Sequence, residues 1–307
     1  MIRSLLITIL TIFFLERDLT PGYVPMSQPM IADSLDIELI PLYDEDSVLE
    51  GYTAFVFTPI CEEDKCYAVE IDFFWDAIGR YDHYDTIPGQ PLTKLEHEPF
   101  TPEEYEKLHQ ILSEPASVLA NYKKEDLVQD IEEEGVDGVS GATINEIKES
   151  VISGAVYSCY TLWHIVHGKV VDSIQSLTYR SLNDQLVKKM VHRKDQQINY
   201  FLINIFSEED FHNYLPHLLY TIENGQGYYA KNAIEKMPAS VFEDDRTQDF
   251  FTEHFESLNY FAQISLLKKL DPQSINSELK TTLRNHLSER NSQKNELIRI
   301  LIGIENN

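Results

Sequence analysis

Seven consecutive residues carry the most distinctive chemical pattern of this 307-residue chain: Asp137-Gly138-Val139-Ser140-Gly141-Ala142-Thr143. The two glycines allow positive φ and a close approach of the backbone to a ligand. Apolar residues then recur at spacings of three and four, which predicts a helix over residues 145–167. Free N–H groups and the positive end of a helix favour an anion such as phosphate. The Thr143 hydroxyl would lie beside that anion.

Thr143 has a second interpretation, because Thr143-Ile144-Asn145-Glu146 is also a capping box. In a capping box the threonine accepts a backbone hydrogen bond, and the glutamate three residues later bonds back to the N-cap N–H. Thr143 would then stabilise the end of a helix and bind no ligand. The residues alone leave both interpretations open.

The spacing Asp137-x-x-Ser140-Gly141-Ala142-Thr143 resembles the flavinylation motif of the FMN-binding domains in sodium-pumping NADH:quinone reductase and Rnf complexes. The resemblance implies that FMN is bound covalently, by a phosphoester to Thr143 that a magnesium-dependent flavin transferase makes. Asp137, Ser140, Gly141 and Ala142 would form the loop that the transferase recognises. The resemblance covers residues 45–168, and Asn145 stands where the family motif commonly has Ser or Thr.

Those families also have an upstream Glu-Thr-Pro-Gly loop. Asp85-Thr86-Ile87-Pro88-Gly89 is a looser version of it, with Asp in place of Glu and one inserted residue. The resemblance therefore adds Thr86 and Gly89 to the cofactor-binding residues. Candidates for an aromatic slot around a flavin ring, or for contacts with it, lie in and around the same segment: Trp75, Tyr81, His83, Tyr84, His97 and Phe100. Each of these side chains also suits ordinary packing.

The function that this resemblance implies is electron transfer, by a carrier rather than a stand-alone catalyst. Its expected partners are the flavin transferase and a membrane-associated redox protein. A function of a different class is also open. In that alternative the domain is a scaffold without flavin, Thr143 caps its helix, and the helical half of the chain binds a partner protein.

The patterns of the segments that must position these residues predict an α+β fold. Alternating apolar residues predict strands over 36–42, 52–60 and 67–75, and the Pro-rich, aromatic-rich residues 79–101 predict a long ordered loop. Thr101-Pro102-Glu103-Glu104 predicts the start of a helix that ends near Leu112. Gly168 should end the helix that follows the motif.

From about residue 180 the sequence predicts successive helices, with breaks at Asn224–Gly227, Met237-Pro238 and Asp271-Pro272. Paired antiparallel helices of a HEAT-like kind are the expected arrangement, although no sharp residue-level repeat supports it. The predicted organisation is a signal peptide or anchor at 1–30, an FMN-binding-like domain at 31–180 and a helical domain at 181–307.

The N-terminus predicts export. Arg3 precedes an apolar run from Leu5 to Leu15, which is shorter than the ~20 residues that span a bilayer. No Ala-x-Ala site follows this run, so a cleaved signal peptide and a retained anchor are both open, as is a buried first strand or helix. The expected location is the periplasm or cell envelope.

Charge distribution narrows the choice of partners. The net charge is −26, and residues 31–185 contain 9 Lys or Arg against 32 Asp or Glu. An acidic surface of this kind repels nucleic-acid phosphates, so we expect no nucleic-acid partner.

Two of the three cysteines flank a predicted polar turn. Cys61 and Cys66 enclose Glu62–Lys65 between two predicted strands, where a disulfide or a redox-active pair is open in an oxidising compartment. Cys159 lies on the apolar face of the predicted helix, which favours a buried, unreactive thiol.

Overall fold

The computed structural model describes residues 22–26, 35–60, 67–127, 147–288 and 291–304. It has the α+β class that the sequence predicts, with one sheet and many helices. The strands are β1 Gly22–Met26, β2 Leu35–Tyr43, β3 Leu49–Thr58, β4 Val69–Asp76 and β5 Tyr81–Thr86. The first α-helices are α1 Pro102–Ser113, α2 Val156–His167 and α3 Lys169–Arg180.

Nine further α-helices follow in the described part of the chain. They are α4 Asp184–His192, α5 Gln196–Ile205, α6 Glu208–Asn213, α7 Leu215–Asn224, α8 Tyr229–Lys236, α9 Asp245–His254, α10 Tyr260–Lys269, α11 Ser277–Asn285 and α12 Ser292–Ile302. Short 3-10 helices lie at Leu95–His97, Val118–Asn121, Lys124–Asp126, Lys148–Ser150 and Ala239–Glu243.

The sheet is a meander in which neighbours in sequence are neighbours in space, in the order β1-β2-β3-β4-β5. β1 pairs antiparallel with β2, with Gly22 opposite Leu39. The other connections are too short for parallel crossovers, so these pairs are antiparallel as well. Pro25 is tolerated in β1 because an edge strand has one side without ladder hydrogen bonds.

Three of the five strands were predicted and two were missed. β2, β3 and β4 confirm the alternating patterns. β5 lies inside the segment 79–101, for which a loop was predicted, so the first part of that prediction is wrong. β1 lies within residues 1–30 and was not predicted as a strand.

The described residues form two compact units. The first contains residues 22–26, 35–41, 52–60, 67–74, 83–127 and 147–165, and the second contains residues 42–51, 75–82, 166–288 and 291–304. In the first unit the inward side chains of the strands are almost fully buried, as in Ile37, Val56, Ile71 and Phe73.

Helix α2 hydrogen-bonds to the irregular segment that follows α1 in the first unit. The Trp163 ring N–H donates to the carbonyl oxygen of Glu114 at 2.9 Å, and the Tyr160 hydroxyl donates to that of Tyr122 at 3.1 Å. His164 Nε2 lies 3.2 Å from the carbonyl oxygen of Leu119. These contacts give side-chain partners to backbone carbonyl oxygens of that segment.

Helix α1 begins as the sequence predicts. Thr101 accepts from the Glu104 N–H at 3.3 Å, and the Thr101 N–H donates to Glu104 Oε2 at 2.8 Å, which completes a capping box. Lys94 Nζ donates to Glu104 Oε1 at 2.9 Å. Partial burial acts to raise the pKa of Glu104, but the Thr101 N–H and Lys94 outweigh it and lower that pKa below its ordinary value.

The charge on Glu104 should make α1 sensitive to acid. Because the folded pKa is lowered, the stabilisation is complete above the ordinary value of 4.5 and is lost as the pH falls through the folded pKa. Glu104→Gln should remove this pH dependence. It should also lower the free energy of opening of the α1 amides, measured by hydrogen exchange, by about 1 kcal/mol near neutral pH. Glu103→Gln is the matched control. Equal exchange in both variants would contradict the role of Glu104.

In the second unit, strand ends and turn residues are fixed to helices. Lys189 on α4 donates to Asp44 Oδ2 at 2.5 Å and Glu50 Oε1 at 3.0 Å. The Thr178 hydroxyl on α3 donates to the carbonyl oxygen of Ala77 at 2.6 Å. The Trp75 ring N–H donates to the carbonyl oxygen of Val166 at 3.1 Å.

Eight of the nine helices from α4 to α12, all except the short α6, form four helical pairs that repeat along the chain. The first helices begin at Asp184, Leu215, Asp245 and Ser277, and the second helices begin at Gln196, Tyr229, Tyr260 and Ser292, so the spacing is 30 to 33 residues. First helices of successive pairs contact one another, and so do second helices. The predicted helical region is confirmed, and its helices end at the predicted breaks. The HEAT-like identity stays a prediction.

Buried side-chain amides satisfy the backbone between these helices. Gln248 Nε2 donates to the carbonyl oxygens of Phe242 at 2.9 Å and Ser274 at 3.0 Å, and its Oε1 accepts from the Asn276 N–H at 2.7 Å. Gln263 Nε2 donates to the carbonyl oxygens of Phe255 and Leu258. Gln248 thereby links the segment before α9 to the segment between α10 and α11 within the second unit.

Replacing Gln248 should therefore be costly. Gln248→Leu leaves two buried carbonyls and one N–H without a side-chain partner. We expect a loss of about 3 kcal/mol in the free energy of unfolding of the second unit, which we call the helical unit. Urea unfolding followed by far-UV circular dichroism measures it. Gln185→Leu, at an exposed position of α4, should change stability by less than about 0.5 kcal/mol. Equal losses in the two variants would disprove the linking role.

Candidate functional site

The five motif residues predicted around the attachment point, Asp137, Ser140, Gly141, Ala142 and Thr143, lie outside the described residues. The described chain on either side of them is packed into the first unit. Leu127 and Ile147, the nearest described residues, are each 1% exposed. The motif is therefore connected at both ends to residues that are buried in the same unit.

The helix predicted over residues 145–167 is wrong over residues 148–155, while residues 145 and 146 lie outside the described residues. A 3-10 helix occupies Lys148–Ser150, and Gly154 has φ 73°, a left-handed conformation that an α-helix does not contain. The regular helix begins at Val156 and ends at His167, before Gly168 as predicted. The described residues 147–167 therefore do not form one continuous helix.

The apolar stripe of that prediction is nevertheless buried. Val151, Ala155 and Leu162 are nearly inaccessible to solvent, although the first two lie outside the regular helix. The Leu95 N–H donates to the carbonyl oxygen of Gly154 at 2.9 Å, so the turn is bonded to the segment before α1. The apolar side chains of the stripe are thus buried without a continuous helix.

Thr86 precedes a tight turn at the end of β5, and Gly89 lies within that turn. Thr86 is the last residue of the strand and is exposed. The Gln90 N–H donates to the carbonyl oxygen of Ile87 at 3.0 Å, and Gly89 has φ 83°. Pro followed by a residue with positive φ is typical of a type II turn. Space around Gly89 is open, since an added Cβ would meet no atom within 4 Å.

A cavity of about 630 Å³ opens along α1 in the first unit. The helix contributes one face of side chains at helical spacing, and the residues after the motif contribute Glu149 and Ser150. The remaining lining residues are Pro102, Glu103, Glu106, Lys107, Gln110, Ile111, Glu114 and Ser117. A volume of this size falls within the range of small-molecule sites. Four of these lining residues are glutamates and one is a lysine, and this excess of negative charge would disfavour a phosphate group.

This cavity was not predicted from the sequence. Its signal was present in α1, where Glu103, Glu106 and Gln110 share one face by their spacing of three and four. That spacing does not indicate which segment faces the helix. Glu149 follows Thr143 by six positions, so the cavity wall is close to the motif along the chain.

The aromatic candidates Tyr84 and Phe100 belong to one cluster around Tyr105. The Tyr84 hydroxyl donates to the carbonyl oxygen of Tyr105 at 2.9 Å, and burial raises the pKa of Tyr84. The Leu92 N–H donates to the Tyr105 hydroxyl at 3.0 Å, and the Phe100 ring centroid lies 5.5 Å from that of Tyr105. This cluster holds residues 92–100 against α1.

The other aromatic candidates are dispersed. Trp75 is 2% exposed, with its ring N–H bonded as described above. His83 stacks on Phe74 with ring centroids 4.1 Å apart, and His97 lies 4.2 Å from Tyr67 by the same measure. Tyr81 is half-buried in β5. The described residues therefore do not bring the six candidates together in one slot.

Cys159 is buried, as its place in the apolar pattern predicts. Its Sγ accepts from the Ile152 N–H at 3.3 Å, and burial raises the pKa of the thiol to about 12. Thiolate formation near neutral pH is therefore suppressed. Cys61 and Cys66 lie outside the described residues, so their pairing stays a prediction.

Two further properties bear on chemistry. In the described ranges no group of three or more His, Cys, Asp or Glu side chains is arranged to hold a metal ion. Among the helices of those same ranges, none has the length and apolar character needed to cross a membrane.

Comparison of the chain with protein-family models, curated proteins and solved structures finds no match.

Cys159 should resist alkylation in the folded protein. In a chain with Cys61→Ser and Cys66→Ser, native protein should react with iodoacetamide at least about a hundredfold more slowly than protein in denaturant, because both burial and the raised pKa oppose attack. Intact mass against time measures the rate. Similar rates in the two states would show that Cys159 is accessible.

Proposed function

We propose that this chain is a cell-envelope flavoprotein that carries FMN on Thr143 and transfers electrons. The observation that carries the proposal is the spacing of Asp137, Ser140, Gly141, Ala142 and Thr143, which resembles a flavinylation motif. A flavin transferase would attach the FMN phosphate to the Thr143 hydroxyl, and a membrane redox protein would exchange electrons with it. The apolar N-terminal run supports export, with that segment either cleaved or kept as an anchor.

Two features of the described residues support this function. The motif is flanked by the buried residues Leu127 and Ile147, so an attached group would stay close to the first unit. The cavity along α1 is large enough for a small-molecule ring system and includes Glu149, which follows the motif.

The lining residues suggest how this chain would act on a bound flavin. FMN would supply the redox chemistry when bound. Gln110, Ser117 and Ser150 offer hydrogen-bonding groups along the cavity wall, and Ile111 offers an apolar surface. The surrounding carboxylates favour an uncharged group in the cavity and oppose a second negative charge there.

Covalent attachment can be tested by mass. The chain co-expressed with a flavin transferase should gain the mass of FMN less one water and turn yellow. Thr143→Ala should abolish the adduct, because the hydroxyl that forms the ester is gone. Thr281→Ala, in the helical unit, should keep the full adduct.

The transferase itself needs a positive control, a chain with an established flavinylation motif. An unmodified Thr143 in the presence of such an active transferase would rule out the carrier function. An adduct that persists in Thr143→Ala would place the attachment elsewhere.

A second function is favoured by the four helical pairs. Stacked helical pairs expose extended surfaces that commonly bind other proteins. In this alternative the chain is a scaffold without flavin, and its helical unit binds a partner protein. The mass experiment separates the two, because the scaffold acquires no adduct.

A further inference from the structure

The sheet has an outer face that is apolar, aromatic and acidic at once. In β3, Tyr52, Ala54 and Val56 are buried, whereas Phe55 is 49% and Phe57 is 55% exposed. In β2, Ile37 and Leu39 are buried, whereas Ile40 is 47% exposed. Ile40, Phe55 and Phe57 therefore point away from the core from two adjacent strands.

The same face continues onto β4 and β5. Phe74 is half-buried on the outer side of β4 and stacks on His83 of β5, with an angle of 6° between the rings. We call the set Ile40, Phe55, Phe57, Phe74 and His83 the outer sheet face. Contiguous apolar surface of this kind on a folded protein commonly marks an interaction site.

Carboxylates lie among these side chains. Glu38 on β2 is exposed, and Glu70 and Asp72 on β4 are partly exposed on the side opposite the core. By contrast, the sequences of β2, β3, β4 and β5 contain no Lys or Arg. On these strands the outer sheet face is thus accompanied by carboxylates and by no Lys or Arg side chain.

We propose that the outer sheet face binds a protein segment that carries both apolar and basic side chains. The apolar residues of such a segment would cover Phe55 and Phe57, and its Lys or Arg side chains would pair with Glu38, Glu70 and Asp72. Charge complementarity carries the choice of partner. A second copy of this chain would bring the same carboxylates to the contact, and an anionic lipid surface would be repelled.

The inference is independent of the flavin. The outer sheet face contains none of the motif residues and none of the residues that line the cavity along α1. Failure of flavin attachment would leave the sheet surface unchanged, and failure of peptide binding would leave the attachment untouched.

The test uses the full chain and a fluorescent synthetic peptide of alternating Leu and Lys, with fluorescence anisotropy as the measurement. Phe55→Thr with Phe57→Thr should weaken binding at least about tenfold, because the apolar contact is lost. The matched control is Tyr228→Thr with Phe261→Thr, two aromatic residues of the helical unit that are 57% and 50% exposed. This control should bind like the original chain.

A second set of variants keeps the aromatic rings. Glu38→Gln, Glu70→Gln and Asp72→Asn together should weaken binding and reduce its dependence on salt. Glu243→Gln, Glu256→Gln and Asp249→Asn, three exposed carboxylates of the helical unit, serve as the control with equal charge change. Unequal effects of the two sets support a specific acidic surface.

Four outcomes overturn the proposal. They are absence of binding, equal weakening in the outer-face variants and their controls, binding that requires removal of residues 1–21, and a dimer that dissociates in the Phe55 and Phe57 variant. The third outcome would assign the face to the apolar N-terminal segment of this chain. The fourth would assign it to a second copy.

Discussion

The structure depends on one constraint, which is that backbone polar groups outside helices and strands must still find hydrogen-bond partners when they are buried. In the first unit, Tyr160, Trp163 and His164 of α2 meet three carbonyl oxygens of the segment after α1. In the helical unit, Gln248 and Gln263 do the same for the segments between helices. Polar side chains at otherwise apolar positions therefore determine where irregular chain can be packed.

The same constraint explains what the sequence could predict of the fold. β3 and β4 alternate clearly, because one side of each strand is buried. β5 does not alternate, since Tyr81–Thr86 is mostly exposed on both sides and contains two aspartates. Its place in the sheet follows from its pairing next to β4, which is tertiary information. Local pattern alone favours a loop there.

Helix boundaries show the same limit. Thr101 and Glu104 were recognisable as a cap because the capping box depends on residues three apart in sequence. The break in the helix between Lys148 and Ala155 was not recognisable from the sequence, because its residues keep the helical spacing of apolar side chains. Gly154 was the only local sign, and its left-handed conformation is fixed by the turn. Likewise, the motif is a local pattern of seven residues whose flavin-binding role stays a prediction, whereas the cavity along α1 joins segments that are distant in sequence.

The regular stacking of helical pairs has a consequence for how such a chain can change over evolutionary time. Each pair contacts mainly its neighbours, and successive pairs are offset by 30 to 33 residues. Duplication or loss of one whole pair would therefore preserve nearly all contacts between the pairs that stay. Insertions of other lengths would shift every later interface. Length variants of this helical region should accordingly differ by whole pairs, and the sheet-containing unit should keep a constant size.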